Sequence, residues 1–284
     1  MKFACVVLTH GRADRVFTHN TLRKSGYTGD IFLLCDSDDA QLDHYKTNFG
    51  EDKVWIFDKR DMIGKIDRMD NLDNMACVVY ARNAVYEIAR SKGLTHICVL
   101  DDDYQAIEQR IESDGSYRSS RIKNFDKVAA AYLDFLKSAG LDCVCFAQGG
   151  DYIGGGQNTK VRNGFKTSRK MMNLYFFDLA KPIDFMGTIN EDLTASIVAG
   201  RVGKKILTSY MNSIVQKETQ SNAGGLTEIY LQLGTYTKSF YSVIACPDCV
   251  KVSSMGDTHT RIHHRVDWKY AVPKIIRQTT ERKP

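Results

Sequence analysis

Long apolar runs are missing from this chain. The N-terminal stretch Met1-Lys2-Phe3-Ala4-Cys5-Val6-Val7-Leu8-Thr9-His10 holds an apolar run of about six residues, short of the roughly 7–15 of a secretory signal core and the ~20 of a membrane span. It reads as a buried strand, with no membrane partner expected. Proline is scarce, at four residues, and no low-complexity tract or solenoid-period repeat occurs. Those absences leave one continuous domain over residues 1–284 as the simplest organisation, and 43% hydrophobic content is enough to bury a core of that size. A second Cys-x-x-Cys and a His pair at finger spacing are also lacking, so Cys246-Pro247-Asp248-Cys249 reads as a turn between strands before it reads as structural zinc. The remaining cysteines sit in apolar, strand-like stretches, as reduced core thiols of a cytoplasmic protein do.

What is present is positive charge, unevenly spread. The net charge is +5, and basic residues gather at 118–123, 166–170, 201–205 and 261–283. Alone, such runs are solvated surface. Beside an anionic donor and a nucleic-acid acceptor they would also attract, in a manner weakened by salt.

Strand-like and helix-like segments alternate through the first hundred residues. A strand over 3–9 ends at Thr9-His10-Gly11-Arg12 and feeds a helix reaching about residue 25. A second over 31–35 stops at Asp36-Ser37-Asp38-Asp39, whose acids are placed to cap a helix starting near Ala40. Residues 54–57 form a short strand, 76–91 a helix, and 95–100 an apolar strand running into Asp101-Asp102-Asp103. This alternation predicts an α/β fold, a mostly parallel central sheet with helices on both faces, with ligands at the carboxyl ends of the strands. The second half reads as mixed α+β: a helix over 125–139, a strand over 143–147, a glycine-rich turn at 149–156, a strand near 174–177 and a helix over 192–199. We therefore divide the domain into a nucleotide-binding half, 1–105, and an acceptor-binding half, 106–284.

Three acids after a buried strand alternate in direction, so Asp101 and Asp103 converge while Asp102 turns away. Two converging carboxylates suit Mg2+ or Mn2+, which takes few protein ligands and fills its shell with water and diphosphate oxygens. A helix cap or a solvated loop is the plainer alternative. Asp36 and Asp38 are placed to accept hydrogen bonds from a base or ribose, and Arg12 and Arg82 to contact a diphosphate or base; each has an equally ordinary structural role open to it. Asn190-Glu191-Asp192 precedes a helix. One acid there caps it or, in an inverting transfer, removes the acceptor proton, with Asp192 preferred and Glu191 in reserve. Near the end, His259, His263 and His264 are candidate metal ligands and Arg261 or Arg265 a diphosphate clamp.

Together Thr9-His10-Gly11-Arg12, Asp36, Ala81-Arg82-Asn83 and Asp101-Asp102-Asp103 resemble the GT-A fold of nucleotide-sugar glycosyltransferases. Glu191-Asp192 resembles its catalytic-acid motif and the C-terminal histidines its last metal ligand. Asp101-Asp102-Asp103-Tyr104 and the His-rich segment are more narrowly similar to phage glycosyltransferases associated with TET/JBP base oxygenases, relatives of the base J glucosyltransferase. The resemblance implies a UDP-sugar donor bound through Thr9, Arg12, Asp36, Asp38, Arg82, Asp101, Asp102 and Arg261. It also implies a metal on Asp101, Asp103 and one histidine, and a 5-hydroxymethylpyrimidine in DNA as acceptor. A glycan, protein or small-molecule acceptor, and a non-catalytic nucleotide- or nucleic-acid-binding module, are the alternatives.

Overall fold

The computed structural model describes residues 1–71, 75–112, 114–216, 234, 236–256 and 261–272. Alternation in the first strand sets the layering. In β1 (Phe3–Leu8), Cys5 and Val7 enter one core cluster while Val6 and Leu8 enter the other, because successive side chains of a strand leave opposite faces. The first cluster collects Leu22 of α1 (Phe17–Lys24), Tyr45 of α2 (Leu42–Phe49) and Phe125 and Leu133 of α4 (Phe125–Ser138). The second collects Val79, Tyr80 and Val85 of α3 (Val79–Ser91) and Ala195 of α6 (Glu191–Arg201). Helices thus cover both faces, as expected.

With β2 (Ile31–Asp36), β3 (Val54–Phe57) and β4 (His96–Asp101), the first half forms the parallel order β3-β2-β1-β4. The chain leaves β1 in one direction and returns on its other side as β4, so the sheet reverses between these two strands. The crevice at their carboxyl ends is where doubly wound sheets bind ligands. Beyond β4 the sheet is mixed. β9 (Tyr175–Asp178) pairs antiparallel with both β4 and β7 (Cys143–Gln148), and β10 (Ile206–Gln216) runs parallel to β7. The hairpin β5 (Tyr104–Ile111) and β6 (Tyr117–Arg121) closes the far edge, and the two-residue β8 (Phe165–Lys166) also pairs with β10.

Two sequence expectations change, and one alternative falls away: Asp101-Asp102-Asp103 caps no helix but leads into β5 through a tight turn. Asp36 caps no helix: α2 starts at Leu42 behind Gln41, and Asp39 is the residue whose carboxylate accepts the Gln41 N–H, at 2.9 Å. Cys246 and Cys249 form a buried turn joining the helix Thr237–Ala245 to strand β11 (Val250–Met255), where two strands were expected to meet.

The seam of the sheet is aromatic. Phe176 of β9 is fully buried and its ring lies 5.4–6.4 Å from those of Phe3, Phe125, Tyr132 and Phe146. Replacing it by alanine opens a cavity among four rings that cannot collapse onto one another. Phe176→Ala is expected to cost about 3–5 kcal/mol in urea unfolding, and a loss below ~1 kcal/mol would mean that this seam is not the packed centre.

Candidate active site

The turn after β1 is built by side chains of the next unit. Gly11, at φ +65°, donates its N–H to Asp39 Oδ2 at 2.7 Å; Arg12 N–H donates to Tyr45 Oη at 2.7 Å and Ala13 N–H to Gln41 Oε1 at 2.8 Å. With its backbone fixed, this turn presents Thr9 and Arg12 to Asp102. Thr9 Oγ1 donates to Asp102 Oδ2 and Arg12 Nη1 to Oδ1, each at 2.8 Å. Asp102 is buried. Burial raises its carboxyl pKa, and Arg12 and Thr9 offset only part of that rise.

Asp101 faces the other way, toward α3 and α6. Its Oδ1 accepts from Arg82 Nη2 at 2.7 Å. Arg82 is only 4% exposed, so it is neither a surface arginine nor open to bulk solvent. Its guanidinium lies 4.7 Å from the Tyr175 ring centroid and 6.0 Å from that of Phe185, and its Nε is 3.9 Å from Glu191 Oε1. Asn83 secures that arrangement by exchanging hydrogen bonds with the backbone of Phe185, donating at 2.9 Å and accepting at 3.0 Å. Among the described residues, Arg82 Nε and Nη1 have no hydrogen-bond partner.

Asp103 is half-buried and forms no ion pair among the described residues. Burial first, then the adjacent Asp101 and Asp102 carboxylates, push its pKa up to about 6. Asp36 accepts from Lys59 at 2.8 Å, and Asp38 lies 3.6 Å from Lys59 and 3.5 Å from Arg60. The two acids after β2 are therefore already matched with cations.

Glu191 and Asp192 both lie in the first turn of α6, behind Asn190. Asn190 adopts a left-handed conformation (φ 56°) and donates to Lys238 O and Ser242 Oγ, each at 2.7 Å. Glu191 is buried, and burial followed by the neighbouring Asp192 carboxylate raises its pKa. Burial opposes ionisation of Asp192 as well, but Lys170, whose Nζ donates at 2.7 Å, together with the Leu193 N–H and Lys238 outweighs it and holds that carboxyl below its ordinary value.

His263 and His264 stack at 4.3 Å on β12 (Arg261–Val266). Burial, His263, Lys170 and Lys238 bring His264 down to about 4, and burial and the cations Arg261, Lys238 and Lys170 lower His263. Both rings are thus neutral at pH 7 and border the Lys170–Asp192 pair. Exposed Arg261 opens the same strand. Among the described residues no group of three or more His, Cys, Asp or Glu side chains is gathered that could hold a metal ion. His259 lies outside the described residues. Three contributors went unread in the sequence: Asp39 and Tyr45, which shape the first turn, and Lys170, which partners Asp192.

A family model described as TET-Associated Glycosyltransferase matches residues 3–225, taking in the first turn, Arg82, the aspartate cluster and Glu191-Asp192. The chain belongs to that family. It is accordingly a glycosyltransferase. No curated protein matches this glycosyltransferase. Among solved structures it is similar to glucosyl-3-phosphoglycerate synthase from Mycobacterium tuberculosis in complex with Mn2+, UDP and phosphoglyceric acid, at 8% identity over 93% of this chain and 87% of that one, TM-score 0.42. It is similar also to S. aureus TarS, at 14% identity over 75% and 59%, TM-score 0.45. A putative nucleotide-diphospho-sugar transferase from Desulfovibrio desulfuricans aligns at 10% identity over 86% and 94%, TM-score 0.44. Likenesses this distant carry no argument about the reaction.

The Asp103 carboxyl makes a stability test possible. Its folded pKa of about 6 lies above the ordinary 3.8, so the folded state binds the proton more tightly and loses stability as pH rises through 6. In chelator-containing buffer, Asp103→Asn is expected to raise Tm by a few degrees at pH 7.5, with the gain closing near pH 4. Thermal melts followed by circular dichroism decide it; an identical Tm difference at both pH values contradicts the assignment.

Proposed function

We propose that this glycosyltransferase moves a sugar, glucose by preference, from a UDP-sugar to the hydroxymethyl group of a 5-hydroxymethylpyrimidine in DNA, with a divalent cation bound at Asp101 and Asp103. The observation that carries this reading is the strand-end carboxylate cluster joined through Arg82 to a second acid pair on α6. The chemistry of the donor set fits a cation. Asp103 is half-buried, raised by its two acidic neighbours and unpaired with any positive side chain among the described residues, which is the imbalance that Mg2+ or Mn2+ relieves. A cation held there supplies Lewis-acid neutralisation of charge on the departing diphosphate.

The protein's own residues supply the rest. Thr9 and Arg12 hold Asp102 inward, which keeps the cluster's backbone fixed, and Arg12 also serves as a diphosphate or base contact. Asp36, Asp38 and Arg261 are further donor contacts. Asp192, kept ionised by Lys170, takes the proton from the acceptor hydroxyl as that oxygen bonds to the anomeric carbon. The bond from that carbon to the diphosphate oxygen breaks in the same displacement, and its electron pair leaves with the nucleoside diphosphate. Glu191, whose pKa is raised, is the reserve base. The family description, which places these glycosyltransferases with TET, and the basic surface support DNA as the acceptor.

Incubation with hydroxymethylated DNA, UDP-glucose and Mn2+, followed by digestion to nucleosides, is expected to give a base heavier by one hexose. Absence of a mass shift with any common UDP-sugar rejects the acceptor. Asp192→Asn should lower kcat by roughly 10²–10⁴ with donor KM near wild type, as expected when a proton acceptor is lost; unchanged kcat removes Asp192 from the reaction. Chelation is expected to abolish transfer, and the Mn2+ concentration for half activation should rise about tenfold per pH unit below 6, since one proton competes at Asp103. Full activity after exhaustive chelation would overturn the metal.

A further inference from the structure

Arg169, Lys170 and Met171 lie between β8 and β9 in a stretch that is neither helix nor strand, and each is fastened from outside. Lys170 Nζ donates to Asp192 Oδ2 at 2.7 Å, and the Lys170 carbonyl accepts from Thr208 Oγ1 of β10 at 3.5 Å. Met171 N–H donates to Ser196 Oγ at 2.8 Å, and Ser196 Oγ donates in turn to Asp192 O, one turn back along α6, at 2.7 Å. Met171 and Ser196 are buried. A segment without the internal hydrogen bonds of a helix or sheet keeps its shape through such outside partners.

Arg169 carries the third anchor. Its Nη2 lies 2.5 Å from Oδ1 of the buried Asp151. Asp151 is itself fixed, in the turn that follows β7: its Oδ2 accepts the Gln148 N–H at 3.3 Å, and its carbonyl accepts from Asn158 Nδ2 at 3.0 Å. Asn158 caps the short helix α5 (Thr159–Arg162) by accepting the Lys160 N–H at 2.9 Å. The glycine-rich turn thus holds a buried carboxylate whose cation stands next in sequence to the lysine on Asp192. A buried ion pair adds little net stability, because stripping water from both charges offsets their attraction.

We propose that Asp151 and Arg169 are positioning residues: their ion pair, with the Ser196 hydroxyl on the other side, holds residues 169–171 so that the Lys170 ammonium meets the Asp192 carboxylate. The role rests on the reading of Asp192 as the proton acceptor. A general base works within hydrogen-bond reach of the proton it takes, and a displacement of about 1 Å can cost on the order of 10²-fold in rate. Lys170 is both counter-ion and tether of that base. Lys238 also favours the ionised Asp192, so loss of the Asp151 anchor slows transfer without abolishing it.

The test follows transfer to hydroxymethylated DNA and, separately, amide hydrogen exchange of the full chain by mass spectrometry. Asp151→Asn, which keeps the shape and removes the charge, is expected to lower kcat about tenfold with donor KM near wild type. It should also quicken exchange about tenfold in a peptide covering residues 169–172 while β7 and β9 stay protected. Arg169→Gln should repeat the loss of kcat, and Arg169→Lys, which keeps the charge, should recover part of it. In the Asp192→Asn background, Asp151→Asn should cost almost nothing further, because both changes act on one interaction. Asp248→Asn, at the exposed Arg201 pair toward the other end of α6, is the unaffected control. Wild-type kcat in Asp151→Asn, losses that multiply in the double variant, or exchange that quickens equally across the sheet reduces the pair to a support of the fold. Each overturns the positioning role with the base reading intact. If Asp192→Asn alone leaves kcat unchanged, the base reading fails and the positioning role fails with it.

Discussion

The buried guanidinium of Arg82 is the charge on which the arrangement of acids depends. Asp101 ends a strand of the first half and Glu191 begins a helix of the second, and the half-buried carboxylate of the one and the buried carboxylate of the other reach the same guanidinium. Two anions brought together in low dielectric repel each other strongly. A single cation between them, flanked by the faces of Tyr175 and Phe185, turns that repulsion into a bridge between the halves. Removing it would leave the buried Glu191 carboxyl beside Asp101 uncompensated, which costs more than losing a surface ion pair. The sequence Ala81-Arg82-Asn83 is compact because one helix turn serves both needs: Arg82 supplies the charge, and Asn83 clamps the backbone that carries the covering ring.

The three aspartates divide their work through backbone alternation. Asp102 looks inward and belongs to the scaffold, while Asp101 pairs with Arg82 and Asp103 is half-buried without an ion pair among the described residues. That division explains why the middle acid tolerates burial and why the third is hard to ionise. It also separates the acids at β4 from those on α6, where Lys170 keeps Asp192 charged and Glu191 is raised.

The first half was legible in the sequence because its apolar runs are short, uniform and punctuated. β3 at residues 54–57 matches the reading, and β1, β2 and β4 each match within a residue or two. The second half was less so. β10 was not read at all, since Ile206–Gln216 interrupts its apolar residues with Thr, Ser and Asn and shows no even alternation; it is buried by the neighbours it pairs with, which composition does not reveal. The acid motifs were readable by type and position, but their partners were not. Lys170 is one lysine in a basic run, and nothing local distinguishes it from Lys166, which faces elsewhere. Asp39 looked like one more capping acid beside Asp36, and only the fold shows that it fastens Gly11 twenty-eight residues upstream.

One property of the sheet bears on how substrates come and go. β9 is stitched by backbone hydrogen bonds to β4 on one side and to β7 on the other, so the two halves share a continuous ladder in place of a flexible linker. A clamshell opening would tear that ladder and strand its amide groups in an aromatic interior, where each lost partner is expensive. Sugar donor and acceptor must therefore reach the site across a frame that stays shut.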